Sequence, residues 1–467
     1  VNVQDDADTV IVITVLVCRI HILSNKNEWT GVAVVDHKKD KHKFSNHNPT
    51  IATILSILFA GLGQLYNRRF LKGTIFIILE LAFLTTLLDS INYGLWGLRT
   101  LGTIPGTDHS IRLLVFGVLA LIASILLLAL YVFNVLDARN QAIKLKDGWK
   151  AKGFKDTIID FYDSAFPYLM TVPGLLLMIF VVIFPLMFSI LLAFTNYTLY
   201  NSPPRNLVDW VGFQNFIELV SVPIWQDTFI SVLAWTIVWT VVATTLQIAV
   251  GLFLALIVND PRIKFKKLIR TIFILPWAVP AFVTILIFSA MFNDDFGAIN
   301  RDIIIPLLGG DGIPWLSEPF YARTAVILIQ TWLGFPFIFA LFTGVLQSIS
   351  KDWYEAADVD GGSRLQKFRF ITFPHIMFAT APLLIMQYAQ NFNNFNIIYL
   401  FNEGGPPVRG QNAGGTDILI SWVYKLTFET NNYAMAAVIS LIMGLIISGF
   451  AFYQFRQTKS FKEEGEL

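Results

Sequence analysis

Tyr354–Pro374 reads YEAADVDGGSRLQKFRFITFP, a charged, glycine-containing island between two long apolar runs. Its surroundings decide the fold class. Of 467 residues, 55% are hydrophobic and 14% are charged, where a soluble domain carries about a quarter charged residues. The mean hydropathy is +0.60, and the apolar residues fall in blocks. The chain therefore reads as an all-α polytopic membrane protein. A helix needs roughly 20 mostly apolar residues to cross the hydrocarbon core. Such runs predict about eight transmembrane helices, near 72–90, 111–136, 168–195, 228–257, 269–291, 324–347, 377–400 and 434–455.

Two earlier segments read differently. Residues 9–23, TVIVITVLVCRIHIL, are short, end in Arg19 and His21, and follow Asp5 and Asp6, the reverse of a basic signal-peptide start. Residues 51–66, IATILSILFAGLGQLY, contain Gly61 and Gly63 and read as an interfacial or re-entrant helix. Lysine and arginine set the orientation. Loop 137–166 carries Arg139, Lys144, Lys146, Lys150, Lys152 and Lys155, and loop 258–268 carries Arg262, Lys264, Lys266 and Lys267. The island adds Lys351, Arg364, Lys367 and Arg369, and the tail Arg456, Lys459 and Lys462. Loops 196–227, 292–323 and 401–433 are poorer in both residues. The island and both ends of the chain are thus expected in the cytoplasm, which HKKDKHK at 37–43 also fits.

Other classes are disfavoured. A net charge of +1 argues against a nucleic-acid partner. One cysteine, Cys18, excludes an internal disulfide framework and a multi-cysteine metal site. His21, His37, His42 and His47 read as a solvated tail, so no metal site is expected. No catalytic constellation appears. The chain lacks a GxxxxGK[ST] phosphate loop, since GLRTLG and GWKAKG have no Lys-Ser/Thr ending.

The island itself reads as helix, turn, helix. DWYEAAD has good helix formers and an acidic start. Gly361 and Gly362 permit a sharp turn. LQKFRFI then places Leu365, Phe368 and Ile371 at helical spacing, and Pro374 opens the next span, where a missing N–H costs little. A capped connecting loop is the simpler reading.

The island also resembles the EAA signature of bacterial ABC importer permease subunits: Glu355-Ala356-Ala357, three residues, Gly361, nine residues, Ile371, and Pro374 three further on. Phe373 departs from the family's usual Leu, apolar for apolar. The resemblance implies a six-helix type I permease core and a coupling helix that docks on a cytoplasmic ATPase, with Glu355, Ala356, Ala357, Gly361, Ile371 and Pro374 at or near the docking surface. From about residue 168 the chain is similar to MalF-type maltose/maltodextrin permeases, through FTNYT (194–198), VGFQNF (211–216), LPWAVPAFVTILIF (275–288), TWLGFPF (331–337), NFNNF (391–395), GGP (404–406) and TDIL (416–419). LSILFAGLGQLYNRRFLKG resembles the N-terminal extension of Gram-positive-type members.

The residues themselves suggest a sugar site. MQYAQNFNNFNIIY puts several amides in one expected span, and polar groups at membrane depth usually face a bundle interior or a watery cavity. Gln387, Asn391 and Asn394 fall at i, i+4 and i+7, on one helical face. Amides donate and accept, which suits sugar hydroxyls. Interhelical bonding is the competing reading and is the better one for Asn393 and Asn396. In QTWLGFPF, Trp332 and Phe337 offer flat faces for sugar rings, Gly334 lets the backbone come close, and Pro336 frees a carbonyl. By resemblance the family's maltose site falls on Gln330, Trp332, Leu333, Gly334, Phe337, Gln387, Gln390, Asn391 and Asn394. Three positions depart: the reference pattern has Tyr at Phe337, Phe at Gln390 and Ser at Gln387, which leaves room for a different sugar.

Pro276 and Pro280 in LPWAVPAF read equally as a gating kink or a tolerated one. Asp294 and Asp295 read as solvated outer-loop residues, and FNEGGPPVRGQNAGGTD (401–417) as a flexible loop able to reach a binding protein. The reference members' large extracytoplasmic domain is absent, because loop 196–227 is too short to fold as one.

The expected organisation is a polar tail (1–50), an extension with an interfacial helix and two spans (51–166), the permease domain (167–457) with coupling loop 352–374, and a tail (458–467). The resemblance implies a multi-pass subunit of a bacterial cytoplasmic membrane. Its partners would be a second, MalG-type permease, two ATPase subunits, an extracellular sugar-binding protein and membrane lipid, with maltose or maltodextrin as cargo. No cofactor is expected on this chain; ATP and Mg would be bound by the ATPase, which makes this a transport subunit and not an enzyme. A raffinose- or galacto-type sugar is the near alternative. A phosphate cargo would need Arg or Lys, which residues 326–347 and 377–400 lack. An ion-coupled transporter would need buried carboxylates in its spans.

Overall fold

The computed structural model describes residues 48–148, 162, 166 and 169–457. The expectations for residues 1–47, most of loop 149–168 and the tail 458–467 lie outside the described residues. Those described form helices: α1 Pro49–Leu58, α2 Leu62–Tyr66, α3 Phe70–Thr100, α4 Ser110–Lys146, α5 Leu169–Leu192, α6 Gln214–Ser221, α7 Pro223–Asn259, α8 Lys266–Ile274, α9 Ala281–Met291, α10 Ile305–Leu308, α11 Pro319–Ser348, α12 Lys351–Val359, α13 Arg364–Lys367, α14 Phe373–Phe392, α15 Phe395–Asn402, α16 Leu419–Phe428 and α17 Tyr433–Gln457. Among the described residues no sheet forms; two isolated bridges pair Thr195 with Trp210 and Pro407 with Gly414.

Among the described residues seven helical stretches are long and apolar enough to cross a membrane, and an eighth if α8 and α9 count as one span. The expected span 269–291 is not straight. Pro276 and Pro280 each remove a donor, Leu275–Ala278 tightens to a 3-10 turn, Val279 is extended, and the two halves meet at 85°. The expected span 377–400 is also interrupted: α14 ends at Phe392 and α15 starts at Phe395.

The described residues fall into two compact units, one drawn from residues 48–92 and 121–175 and one from 93–120 and 176–457. In the first unit α1 is too short to span. It buries the small Ala52 and Ser56 and exposes Ile51, Ile54 and Ile57. Gly61, at φ +92, turns the chain back into α2, and Gly73 lies so close that a Cβ at Gly61 would sit 2.3 Å from its carbonyl. The hairpin is tied to α4: Asn134 Oδ1 accepts from the Gly61 N–H at 3.2 Å, and Gln64 Nε2 donates to the Asn134 carbonyl at 2.8 Å. These bonds satisfy backbone groups that an apolar medium would leave unpaired.

The second unit is organised by α7 and α11. At about 1.5 Å per residue, the 37 residues of α7 span roughly 55 Å. Its buried positions, Val232, Trp235, Thr236, Trp239, Thr240, Ala243, Thr244, Gln247, Gly251, Ala255 and Val258, recur every three or four residues and make one stripe. Small residues let the helices approach: a Cβ on Gly251 would lie 2.6 Å from Ile338 of α11. Thr236 and Thr240 turn their hydroxyls onto carbonyls four residues back, both at 2.7 Å, so the stripe carries no bare hydroxyl there.

Candidate substrate site and coupling loop

The island folds as expected in outline. Ser350 caps α12: its hydroxyl accepts from the Asp352 N–H at 3.2 Å and donates to the Asp352 carboxylate at 3.1 Å. Gly361 turns at φ +75, and Ser363 with Gln366 forms a reciprocal cap on α13. Helix α13 then runs through one π turn, Phe368–Thr372, into α14. The π turn shifts the bonding partner back one residue just before Pro374, which has no N–H to give. Two contacts that the sequence reading missed staple the arms: Tyr354 OH meets Thr372 Oγ1 at 2.8 Å, and Lys367 Nζ meets Asp358 at 2.5 Å. Between the arms lies an open groove of about 520 Å³, lined by Trp353, Ala356, Ala357, Ile371, Pro374 and His375 among others. Four of the six proposed docking residues thus share one groove; Glu355 and Gly361 are exposed beside it.

The amides behave differently. Gln330 Nε2 donates to Asn391 Oδ1 at 2.9 Å, and Asn391 Nδ2 donates to Thr244 Oγ1 at 2.8 Å. Asn394 Nδ2 donates to Gln330 Oε1 at 3.1 Å, and the Asn391 carbonyl accepts from Trp239 Nε1 at 2.8 Å. Three helices are therefore joined by one buried polar cluster, and Gln330 and Asn391 are engaged in it. Asn394 does not continue the stripe of Gln387 and Asn391, because α14 has ended; it joins from the break. The cluster includes Gln247, which the sequence reading passed over. Its side chain is fully buried, its Nε2 has no partner, and its Oε1 occupies the place that a Cβ on Gly334 would need, 1.8 Å away. Gly334 thus admits a neighbouring amide. A lone Gln three residues after Thr244 in an apolar span was the signal available for it.

Around this cluster the other candidates stay accessible. Trp332 is 46% exposed, Gln390 is exposed and Gln387 half-buried. Neither glutamine makes a side-chain hydrogen bond among the described residues. Phe337 is half-buried and meets Trp277, in the break between α8 and α9, edge to face at 5.9 Å between centroids. Leu333 is half-buried against the apolar cluster around Trp239.

Two loops expected on the outer side are held more firmly than their sequences suggest. Asp294 is not simply solvated: Oδ1 accepts from the Leu316 N–H at 2.7 Å and Oδ2 from Ser317. Loop 401–417 is held at its base. The Asp417 side chain is fully buried, 2.6 Å from Lys425 Nζ, and it also accepts from the Gly414 N–H and Ser421 Oγ. Burial pushes the Asp417 carboxyl up, against the pull of Lys425.

The profile of the binding-protein-dependent transport system inner membrane component matches residues 247–459. The galactooligosaccharide transport system permease protein GanP of Bacillus subtilis is 50% identical over 414 residues, 89% of this chain and 99% of the relative. The maltodextrin transport system permease protein MdxF of the same organism is 46% identical over 432 residues, 91% of this chain and 99% of the relative. Among solved structures, a bacterial ABC transporter that imports the polysaccharide alginate aligns with a TM-score of 0.55 at 20% identity, covering 65% of this chain and 98% of that one, a likeness of fold. With near-complete coverage of relatives at half identity, the chain belongs to the binding-protein-dependent transport system inner membrane components, as a multi-pass permease subunit and not an enzyme.

Proposed function

We propose that the chain is one of two permease subunits of an ABC importer for a neutral oligosaccharide, galactooligosaccharide in the first place. The observation that carries this is GanP, 50% identical over almost its whole length. The site fits a neutral, hydroxyl-rich cargo: Trp332 and Phe337 offer rings, Gln387 and Gln390 offer free amides, and no Arg or Lys stands among them. Maltodextrin is the second reading, favoured by MdxF at 46% identity and by the NFNNF and TWLGFPF words. Gln390 in place of a family Phe exchanges stacking for hydrogen bonding, and Gln387 in place of Ser adds an amide, changes that favour a sugar other than maltodextrin. Gln330, Leu333, Gly334, Asn391 and Asn394 support the site from behind.

The partners follow from this reading: a second permease subunit, two ATPases that bind ATP and Mg, and an extracellular sugar-binding protein, with the basic loops and both termini in the cytoplasm. ATPase closure would move the stapled island as one body. The groove residues Ile371 and Pro374 and the amides Gln387, Gln390 and Asn391 lie along one helical run from Arg364 to Phe392. From Pro374 to Gln387 is about 20 Å at helical rise, so movement at the groove is movement at the sugar site, the basis of alternating access.

The test is ATP hydrolysis by the reconstituted complex with its binding protein, across galactotriose, maltotriose and raffinose. Galactotriose should stimulate most, and Gln390→Phe should shift preference toward maltotriose. Stimulation by maltotriose alone in the wild type would reverse the order of the two readings; stimulation by no sugar would sink both.

A further inference from the structure

Beyond the break at Asn393, α15 and α16 each turn one side into the core of the second unit. Ile397, Ile398 and Phe401 are buried on α15, and Trp422 and Leu426 on α16. Their other sides meet in a row of aromatic rings. Phe395 and Tyr399, one helical turn apart, stack at 5.0 Å between centroids and 19° between planes. Tyr424 of α16 lies 4.8 Å from Phe395 and 5.0 Å from Tyr399, and Phe428 continues the row 4.8 Å beyond Tyr424. The first three rings are half-buried, and Phe428 is 68% exposed.

Polar groups border these rings. Asn396 is exposed beside Phe395, and the interhelical bond expected of its amide is not formed among the described residues. Glu403, just past α15, and Glu429, just past α16, are exposed and have no ion pair or side-chain hydrogen bond among the described residues. Both bear electrostatically on the Tyr399 hydroxyl. The row starts where the buried amide cluster ends: Asn394, the residue before Phe395, donates to Gln330 Oε1 at 3.1 Å. From there the eight residues of α15 rise about 12 Å toward loop 401–417, on the side poor in Lys and Arg.

We infer that the ring-bearing sides of α15 and α16 form an outer sugar subsite, which holds further units of an oligosaccharide whose leading units lie beside the amide cluster. This deepens the importer reading and rests on it. A sugar ring has an apolar face that stacks on aromatic rings, and hydroxyls that donate to carboxylates and amides. The row offers both kinds of partner, and the cation next to it in sequence, Lys425, is already held by Asp417 at 2.6 Å. Acyl chains would leave the carboxylates and the Asn396 amide unpaired. An interfacial aromatic belt lies at headgroup level, whereas Phe395 sits one residue from an amide of the buried cluster.

The experiment measures uptake into proteoliposomes that hold the whole complex, with subsaturating binding protein loaded with galactobiose or galactotetraose, and in parallel with maltose or maltotetraose. Phe428→Leu keeps an apolar side chain and loses the flat face. It should lower the ratio of tetrasaccharide to disaccharide uptake about fivefold, the effect of one stacking contact. Phe428→Tyr should hold the wild-type ratio. Glu403→Gln, which removes the charge and keeps the shape, should lower the ratio about twofold. Equal slowing of both lengths by Phe428→Leu would make the rings a structural patch, and an unchanged ratio in both Phe428→Leu and Glu403→Gln would leave them facing lipid. Either result overturns the subsite while the importer reading stands. Loss of the second permease subunit during purification of Phe428→Leu would make the row a subunit contact and overturn the subsite too. A wild type that takes up neither sugar series overturns the importer reading and the subsite together.

Discussion

The cluster around Gln247 and the island around Gly361 are both polar places in an apolar chain, and they are built in opposite ways. The cluster is closed. Its amides bond one another across α7, α11 and α14, and its glycine is filled by a neighbour's oxygen. The island is open. Its groove of about 520 Å³ has no occupant within the chain, and its polar contacts hold only its own two arms together. Polarity at depth here joins helices, whereas polarity at the surface keeps a separate element stiff enough to be pushed.

Three substitutions test that contrast, from the largest expected effect to the smallest. Asn391→Ala should be the most damaging. It leaves the Gln330 amide and the Thr244 hydroxyl without their Asn391 partner in a buried place, and each group left unpaired costs about 1–3 kcal/mol. Thermal unfolding of the purified complex should shift markedly downward, with transport lost alongside. Normal stability with transport abolished would make Asn391 a sugar contact instead of a tie. Gly334→Ala comes next, because its methyl meets the Gln247 amide oxygen and forces a shift costing about 1–3 kcal/mol; wild-type stability would mean that the Gln247 side chain swings clear, so that the contact does not tie α7 to α11. Asp358→Asn removes an ion pair whose carboxylate is 61% exposed. Such pairs contribute about 0–1 kcal/mol, so stability should hardly change while the sugar-stimulated ATPase rate falls modestly. A large loss of stability there would show that the island is part of the folded core.

The spans were legible because length and hydropathy alone set them, and the island because its glycines, caps and proline act locally. What escaped the sequence had non-local causes. The face shared by Gln387, Asn391 and Asn394 assumed a continuous helix, but α14 stops at Phe392, and Asn394 reaches Gln330 from the break. Gln247 mattered only once α11 was known to present Gly334 to it. Loop 401–417 looked flexible because glycine permits flexibility, yet Gly404 and Gly414 serve close packing around Asp417. Composition does not separate those two uses of glycine. The 85° bend between α8 and α9 exceeded the kink that two prolines suggested.

The hairpin of α1 and α2 has a consequence for how the chain is made. The Gly61 N–H finds its acceptor on Asn134, 73 residues later, and Gln64 and Asn67 bond carbonyls of residues 134 and 138. When the ribosome has finished the hairpin, none of these acceptors exists. The first apolar segment to leave the exit tunnel after residue 48 must therefore wait at the headgroup layer, where water still serves its backbone, until α4 is inserted. With Cys18 replaced by Ser, chains truncated before residue 131 should leave the cysteine of Ser56→Cys open to an aqueous maleimide, and chains extended past residue 146 should close it, since Ser56 is fully buried in the finished fold. In this part of the molecule the order of synthesis and the order of insertion differ.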